Sequence, residues 1–227
     1  MDNVNRRPGI GSDKTATPRL VCLAGAMLLP GGGVLDGSES RDPLNTGDLD
    51  SLRAGIVLGK VTASGFYAPS ILGVLTAAYT STSMTVSAAT AVEIVRRIGS
   101  SGTFKVTGPP SAAGTVATTT ITFSAVDTST GVITITDPGD LDCIAGSFIQ
   151  PTDGSETPLA ILSDGYPIKV TDSDGTTELD VGAANILIGG HLDASQIVNY
   201  PSDASLKTWL KVTKLNAVCQ FTYDDDF

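Results

Sequence analysis

Apolar and polar residues alternate in short runs along much of this chain, and Gly, Pro, Asp and Ser separate the runs. The clearest β-favouring run spans residues 56–61, which read Ile-Val-Leu-Gly-Lys-Val, and a second short run follows Ser64 and Gly65 at residues 66–69. Runs of β-branched and aromatic residues are typical of β-strands, and a Ser-Gly pair between two such runs favours a tight turn. The pattern predicts a strand, a turn and a second strand.

A second hairpin is predicted further along the chain. Ile121 and Phe123 alternate with polar residues, residues 127–131 read Asp-Thr-Ser-Thr-Gly, and Ile133 and Ile135 alternate again. Apolar side chains at every second position place one face of each strand in a core, and the polar residues between them favour a long turn. The two runs are therefore expected to pair.

One segment has the spacing of a helix rather than of a strand. Thr90 and Glu93 stand three residues apart, as in a capping box at the start of a helix. Arg96 and Arg97 lie in the last turn, and Gly99 follows as a stop signal. The apolar residues on one side of this helix are Ala91, Ile94, Val95 and Ile98. The segment predicts a short amphipathic helix.

Two further helical segments are predicted near the C-terminus. Asp193 and Gln196 are spaced to cap a short helical turn, and Ser202 favours the start of a helix. The residues on one face of that second helix are Leu206, Trp209 and Leu210.

The first residues of the chain predict a flexible arm followed by a single strand. Residues 1–18 carry Asn, Arg, Pro, Gly and Asp with almost no apolar periodicity, so they bury too little surface to offset the entropy of ordering. Residues 19–29 favour a strand, which Pro30 and the three glycines after it end. Such an isolated strand needs a partner sheet, either in this chain or in another.

Changes of composition divide the chain into three parts. Residues from about 73 to 142 are rich in Thr, Ser and Ala and nearly free of lysine, which indicates an insertion. The predicted parts are an N-terminal arm (1–48), a core (49–73 and 144–227) and an inserted β-rich subdomain with one short helix (74–143). The fold class that follows is mainly β, of the β-rich α+β type: a small β core with short helices, interrupted by an inserted β-rich subdomain. We expect the insertion to point outward and to tolerate removal.

The balance of charge argues against nucleic acid as a direct partner. The chain has 24 acidic and 14 basic residues, so its formal net charge is −10, and it repels a phosphate backbone. The low aromatic content of 5% and the 25 glycines agree with short strands and tight turns rather than with a helical bundle.

The cysteines and the apolar run near the N-terminus both favour a protein made in a reducing cytoplasm. Cys22, Cys143 and Cys219 are an odd number, lie far apart and have apolar neighbours, so we expect buried free thiols. The apolar run at residues 20–29 is short and interrupted by Gly25, which disfavours a secretory signal. No run is long enough to span a membrane.

The sequence singles out no catalytic or cofactor-binding group. His191 is the single histidine, with no cysteine close by in sequence, so neither a nucleophile with its base nor a metal cluster is indicated. A glycine-rich phosphate loop is also absent from the sequence. A hydrolase would depend on one acidic residue or on His191, and nothing selects a candidate. We therefore expect no enzymatic activity, no cofactor, no metal and no small-molecule substrate.

Two acidic segments leave alternatives open. Asp172, Asp174, Glu178 and Asp180 share one turn, as the ligands of calcium loops do, but they lack the spacing of an EF-hand. A solvated acidic turn is the favoured interpretation, and ion binding is the alternative. For Asp224–Asp226 a solvated tail is favoured, and contact with a basic patch on a partner is the alternative.

Three segments carry a resemblance to a known family. Residues 52–69 read LRAGIVLGKVTASGFYAP, residues 153–162 read DGSETPLAIL, and residues 189–194 read GGHLDA. In order, these resemble the first block, the second block and the late turn of the lambdoid phage head decoration, or capsid cement, proteins. In that family a short link joins the first two blocks, whereas about seventy residues intervene here. The resemblance extends over about 51–71 and 146–221 and covers neither the arm nor the insertion.

The resemblance implies a structural protein of the virion. It implies a homotrimer on the outer capsid surface of an expanded tailed-phage head, at three-fold and quasi-three-fold sites. The partner is the major capsid protein, and the subunit stabilises the shell against the pressure of packaged DNA. It further implies synthesis in the host cytoplasm, with no direct contact to nucleic acid or to a membrane.

The resemblance also assigns roles to particular residues. Because the family's arm adds β-structure to the capsid lattice, the candidates for capsid contact are Thr17, Arg19, Leu20, Val21, Leu23, Met27 and Leu28. The structural residues of the family motifs are Gly55, Gly59, Gly65, Tyr67, Pro69, Asp153, Gly154 and Pro158.

A second function is consistent with the insertion. Its Thr-rich hairpin resembles exposed β modules that bind glycans or receptors, so the alternative is a tail- or fibre-associated adhesin that binds the host surface. Deleting the insertion separates the two functions, because an adhesin would lose adsorption and a cement protein would lose particle stability.

Overall fold

The computed structural model describes residues 21–45, 47–79, 82–110, 115–137, 142–163, 167–183 and 185–226. Strand outweighs helix in it, at 38% against 16%, which confirms the predicted β-rich α+β class. The strands before the first helix are β1 (Cys22–Leu28), β2 (Gly33–Leu35), β3 (Ser51–Leu52), β4 (Val57–Lys60), β5 (Tyr67–Pro69), β6 (Gly73–Val74) and β7 (Ser83–Thr85). Those after it are β8 (Gly102–Gly108), β9 (Ala117–Asp127), β10 (Val132–Asp137), β11 (Phe148–Gln150), β12 (Ala160–Leu162), β13 (Ile168–Lys169), β14 (Val181–Ala183), β15 (Ile186–Leu192) and β16 (Gln220–Tyr223).

The strands form two larger sheets. The first, called the body sheet, has the order β1-β15-β12-β4-β5-β2-β14, and β16 also pairs with β15, in parallel. The second, called the insertion sheet, has the order β6-β11-β8-β9-β10-β7. A small ladder joins β3 to β13. The predicted hairpins are confirmed, since β4 pairs with β5 and β9 pairs with β10, both antiparallel.

The central strands of the body sheet are covered on both faces. Val57, Ile161 and Leu187 point to one side, where they join Leu206 and Trp209 of the C-terminal helical segment. Adjacent residues on the same strands point to the other side, because successive side chains alternate across a strand. The members of that second cluster include Leu35, Leu58, Leu162 and Ile186. Its strands therefore carry apolar residues at consecutive positions.

The insertion sheet packs on helix α1 (Ala88–Arg97) to form a separate core. Its buried residues include Ala91, Ile94, Phe104, Ile121 and Ile133. The helix is where the sequence predicts it, but its cap differs. Ser87 is the N-cap, and its hydroxyl accepts a hydrogen bond from the Thr90 amide at 3.1 Å. Glu93, expected in a capping box, instead lies buried and forms an ion pair with Arg96.

The C-terminal helical segment packs on one face of the body sheet. It consists of α2 (Ala204–Thr208), a π-helical stretch (Trp209–Leu215) and α3 (Asn216–Val218). Asp203 rather than the predicted Ser202 caps α2, through hydrogen bonds from the amides of Ser205 and Leu206. Asp193 caps the turn Ala194–Gln196 as predicted. Across the described residues, no helix is both long and apolar enough to cross a membrane.

One strand joins the two cores across the predicted domain boundary. Strand β11 falls within residues 144–227, the predicted core, yet it pairs with β6 and β8 of the insertion sheet. Phe148 points to the body core, where its ring centre lies 5.8 Å from that of Trp209, and Ile149 points to the insertion core. The body and the insertion therefore share a strand, because alternate side chains of β11 face opposite ways.

The predicted arm is partly built into the body. Strand β1 pairs antiparallel with β15, so the predicted strand has its partner sheet within this chain. Strand β2 also belongs to the body sheet, and Leu35, Asp36 and Asp42 are buried. Residues 1–20 lie outside the described residues. Between residues 21 and 45, the predicted arm is thus an integral part of the fold.

Candidate functional site

The two family-like blocks meet in the middle of the body sheet. Strand β4 of the first block pairs antiparallel with β12 of the second, with Leu58 opposite Ala160 and Val57 opposite Ile161. Flanking hydrogen bonds extend the pairing, from the Leu159 amide to the Leu58 carbonyl (2.8 Å) and from the Leu162 amide to the Ile56 carbonyl (2.9 Å). Segments separated by the insertion therefore fold back into one unit.

Two glycines let the blocks approach each other closely. A Cβ atom on Gly59 would lie 2.0 Å from the Ser155 carbonyl oxygen, and a Cβ atom on Gly154 would lie 2.0 Å from the Thr62 hydroxyl oxygen. Gly154 also has a φ of +106°, which L-residues rarely adopt. Between them the Thr62 amide donates to the Asp153 carbonyl at 2.8 Å. This contact requires glycine at both positions.

We predict that Gly59→Ala lowers the free energy of unfolding by about 2–3 kcal/mol, because the new methyl group overlaps backbone that is held by hydrogen bonds. Urea denaturation measures the change. The matched control is Gly182→Ala on β14, where a Cβ atom would meet nothing within 4 Å and where we expect a change within about 0.5 kcal/mol. Equal losses in the two variants would show that the block contact is not tight.

The other motif residues surround the same junction. Gly65 occupies the turn between β4 and β5 with a φ of +72°, and Gly55 has a φ of +93° beside the backbone of Gln196. Tyr67 and Pro158 are buried. All of the predicted motif residues thus have structural positions. None of them forms an exposed surface patch.

Strand β1 carries several of the exposed large apolar side chains, and the C-terminal helical segment carries two more, Val212 and Val218, which are 63% and 58% exposed. Leu23 and Met27 are each 45% exposed, and Leu28 is 44% exposed. Strand β1 is an edge strand, and β15 is its one pairing partner among the described strands. Three register shifts interrupt the β1–β15 ladder. Such bulges twist an edge strand away from regular pairing, so side chains rather than a long backbone ladder are the features that β1 offers to a partner.

The seven predicted contact residues divide into three groups. Leu23, Met27 and Leu28 lie on this exposed strand. Val21 is 1% exposed and packs in the body core, so its predicted role as a contact residue is wrong for the folded chain. The candidates outside the described residues are Thr17, Arg19 and Leu20.

A buried guanidinium connects the insertion to both blocks. Arg97 of helix α1 forms an ion pair with Asp153 at 2.7 Å and another with Glu39 at 3.0 Å. It also donates to the Pro69 carbonyl at 2.9 Å and to the Ser155 hydroxyl at 2.7 Å. Its side chain is 1% exposed. Sequence reasoning placed Arg97 only in the last turn of a helix, since nothing local indicates partners this distant in sequence.

The pKa values of the two carboxyl groups beside Arg97, Asp153 and Glu39, shift in opposite directions. Burial raises the pKa of Asp153, but the charge of Arg97 and hydrogen bonds from Ser155 and Arg97 outweigh burial, so the pKa is lowered overall. Burial also raises the pKa of Glu39, and the nearby Asp153 and Asp36 add to that rise, so the attraction of Arg97 does not restore the ordinary value. Ionised Asp153 is therefore favoured by the fold, and ionised Glu39 is disfavoured.

We predict opposite effects for amide variants of these two residues. Because the pKa of Asp153 is lowered in the folded chain, its ionised carboxylate stabilises the fold at pH values above the ordinary pKa of 3.8, and this stabilisation is lost as the pH falls through the folded-state pKa. Asp153→Asn is therefore expected to lower the free energy of unfolding by about 2 kcal/mol at pH 7. Because the pKa of Glu39 is raised in the folded chain, its protonated form stabilises the fold only below the ordinary pKa of 4.5, and this stabilisation is lost as the pH rises through the folded-state pKa. Glu39→Gln is therefore expected to leave the free energy of unfolding at pH 7 unchanged or to raise it. Urea unfolding at pH 7 and pH 3.5 checks both. A larger loss for Glu39→Gln than for Asp153→Asn at pH 7 would contradict the assignment.

The remaining candidate residues have partners within the chain. The ring nitrogen Nδ1 of His191 lies 3.0 Å from the Thr222 hydroxyl. In the acidic turn, hydrogen bonds from the Thr176 and Thr177 backbone and side chains hold the pKa of Asp172 at about 2, and Glu178 pairs with Arg41. In the portion that the structure describes, no cluster of three or more His, Cys, Asp or Glu residues is arranged to hold a metal ion.

The acidic C-terminal residues bind the chain's own surface, which corrects the prediction of a solvated tail. Asp225 accepts hydrogen bonds from Tyr200 at 2.9 Å, Lys207 at 3.0 Å and Lys211 at 2.6 Å. Partial burial raises the pKa of Asp225, but these donors outweigh it and bring the pKa down to about 2. Asp224 accepts from the Ala194 amide at 2.8 Å.

The three cysteines are free thiols, as predicted. Burial raises the pKa of Cys143 to about 12 and that of Cys219 to about 11. Cys22 differs from the prediction because it is only partly buried, at the start of the exposed strand β1.

Comparisons with protein-family models, with curated proteins and with solved structures found no match for this chain.

Proposed function

We propose that this chain is a capsid decoration subunit, a structural protein that binds the outside of an expanded tailed-phage head as a trimer. The observation that carries the proposal is the pairing of β4 with β12. The segments that resemble the two family blocks are far apart in sequence, yet they form one interlocked unit that depends on Gly59 and Gly154. An accidental likeness of two unrelated loops would not require this contact.

The exposed strand β1 supplies a surface for the shell. Soluble chains rarely expose neighbouring large apolar side chains on an edge strand without a partner. Leu23, Met27 and Leu28 meet that description. The net charge of −10 keeps the free subunit soluble and repels packaged DNA, so the partner is a protein surface. A cement protein works by many such modest contacts repeated over one shell.

Binding to isolated heads tests the proposal. Purified chain is mixed with expanded heads and, separately, with unexpanded heads that lack a decoration protein, and the bound fraction is measured by co-sedimentation. We expect saturable binding to expanded heads only, in multiples of three copies, and greater resistance of the loaded heads to heat. Binding to isolated tails, or to neither form of the head, would overturn the proposal.

The adhesin alternative is supported by one surface of the insertion. Hydroxyl side chains line the outward face of β9 and β10, among them Thr118, Thr120, Thr134 and Thr136. Aromatic rings, which usually provide the stacking surface for sugars, are inside: Phe104 and Phe123 belong to the insertion core. The capsid proposal is therefore preferred, and a host-cell adsorption assay with the isolated chain separates the two.

A further inference from the structure

The last turn of helix α1 makes contacts that its own subdomain does not need. The apolar face of the helix, with Ala91 and Ile94, already anchors it to the insertion sheet. The partners of Arg97 all lie outside the insertion. They are Glu39 at 3.0 Å, Pro69 at 2.9 Å, Asp153 at 2.7 Å and Ser155 at 2.7 Å. Burying a guanidinium costs several kcal/mol unless its donors are paired. Because the groups that pair with Arg97 belong to the body, this side chain connects the insertion to the body.

The neighbouring Arg96 holds the same segment of the body. It donates to the Ser38 carbonyl and pairs with Glu178 at 3.4 Å while also pairing with Glu93 at 2.7 Å. Arg96 and Arg97 thus bind consecutive residues, Ser38 and Glu39. A helix of the insertion holds the chain just after strand β2.

That segment follows strand β2, which four strands separate from β1 in the order of the body sheet. Asp36 fixes its start: the carboxylate accepts from the Ser38 hydroxyl at 2.7 Å, from the Glu39 amide at 3.2 Å and from the Ser64 hydroxyl at 2.6 Å. Strand β2 precedes Asp36 directly, and a turn in which the Gly32 amide donates to the Leu29 carbonyl joins β2 to β1. Contacts at residues 36–41 therefore bear on how the end of β2 and the residues after it are held.

We propose that Arg97 is a positioning residue through which the inserted subdomain fixes residues 36–41 of the body. The insertion then has a function inside the molecule as well as on its surface. Loosening the insertion loosens residues 36–41, and fixing these residues stabilises the insertion, because coupling between two sites is reciprocal. The inference concerns the free chain and stands apart from the capsid proposal.

Hydrogen exchange of the free chain tests the inference. Arg97→Ala is expected to speed exchange in residues 36–41 by about tenfold, the equivalent of one charge-assisted hydrogen bond, while β9 and β10 keep their protection. The matched control, Lys105→Ala, removes an ion pair between insertion and body at a different place, with Glu156 at 2.7 Å. It is expected to affect residues 153–157 and to leave residues 36–41 unchanged.

A second pair of variants measures the coupling itself. Ile133→Ala weakens the insertion core and is expected to speed exchange at residues 36–41 severalfold in the wild-type background but not in the Arg97→Ala background. Glu39→Ala is expected to reproduce the local effect of Arg97→Ala. Should Arg97→Ala fail to fold, Arg97→Lys, which keeps the charge but loses the planar fork, replaces it with a smaller expected rise of about threefold. Unchanged exchange at residues 36–41, or an equal rise in every strand, would overturn the inference.

Discussion

A chain that lacks residues 74–143 is expected to lose the folded body together with the insertion. The deletion removes β8, to which β11 is paired, and exposes Ile149. It also removes Arg97 and leaves Asp153 and Glu39 without their guanidinium, a loss that typically costs about 3–5 kcal/mol for a buried pair. Added together, these losses approach the whole stability of an ordinary domain, about 5–15 kcal/mol. Circular dichroism and urea denaturation would show no cooperative transition.

This expectation reverses the one drawn from composition alone, in which the insertion tolerates removal. The matched control replaces only the turn between β9 and β10, residues 128–130, by Asn-Gly. Because the turn is exposed and loop length has little effect on stability, we expect a change within about 1 kcal/mol. A cooperative transition near the wild-type midpoint in the full deletion would contradict the shared-strand description of β11.

Replacing Leu23, Met27 and Leu28 together by Ser is expected to weaken binding to expanded heads more than 100-fold. Each side chain is already about half covered in the free subunit, so burying the remainder contributes about 1 kcal/mol per residue, or about 3 kcal/mol in total. The fold should be retained with a lower free energy of unfolding, because the covered half of each side chain contributes about as much to folding as the exposed half contributes to binding. Co-sedimentation at several subunit concentrations measures the affinity, and urea denaturation checks the fold.

The control for this variant is Val132→Ser on β10, which removes an apolar side chain of 38% exposure from the insertion sheet. Its binding should match the wild type if β1 is the surface that meets the shell. Equal weakening by both variants, or unchanged binding by the triple variant, would remove β1 from the proposed contact.

Residue patterns within short segments predict the hairpins, the capped turn and helix α1, because residues close in sequence determine these elements. The hairpins β4–β5 and β9–β10 follow from β-favouring runs on either side of a turn, and Asp193 is found as a cap because an Asx residue pairs with amides close by in sequence. Helix α1 was placed correctly, but its start was not, since Ser87 and Thr90 both have hydroxyls that suit an N-cap. Only the backbone geometry distinguishes them.

Contacts between distant segments could not be predicted in the same way. The sequence gives no preference between β15 of this chain and a strand of another chain as the partner of β1, because alternation does not specify a partner. The role of Arg97 depends on Glu39 and Asp153, which precede and follow it by more than fifty residues. The burial of Val21 was missed because it continues an apolar run whose other members are exposed.

A reconstruction of intact particles would locate this chain and show which of its surfaces meets the shell. We expect trimeric density for this chain at the three-fold sites of the expanded head, with β1 against the shell, the paired β4 and β12 above it, and the insertion sheet attached to the body through helix α1. Density for the chain on the tail, or a decorated head in which β1 faces solvent and another surface meets the shell, would contradict the account.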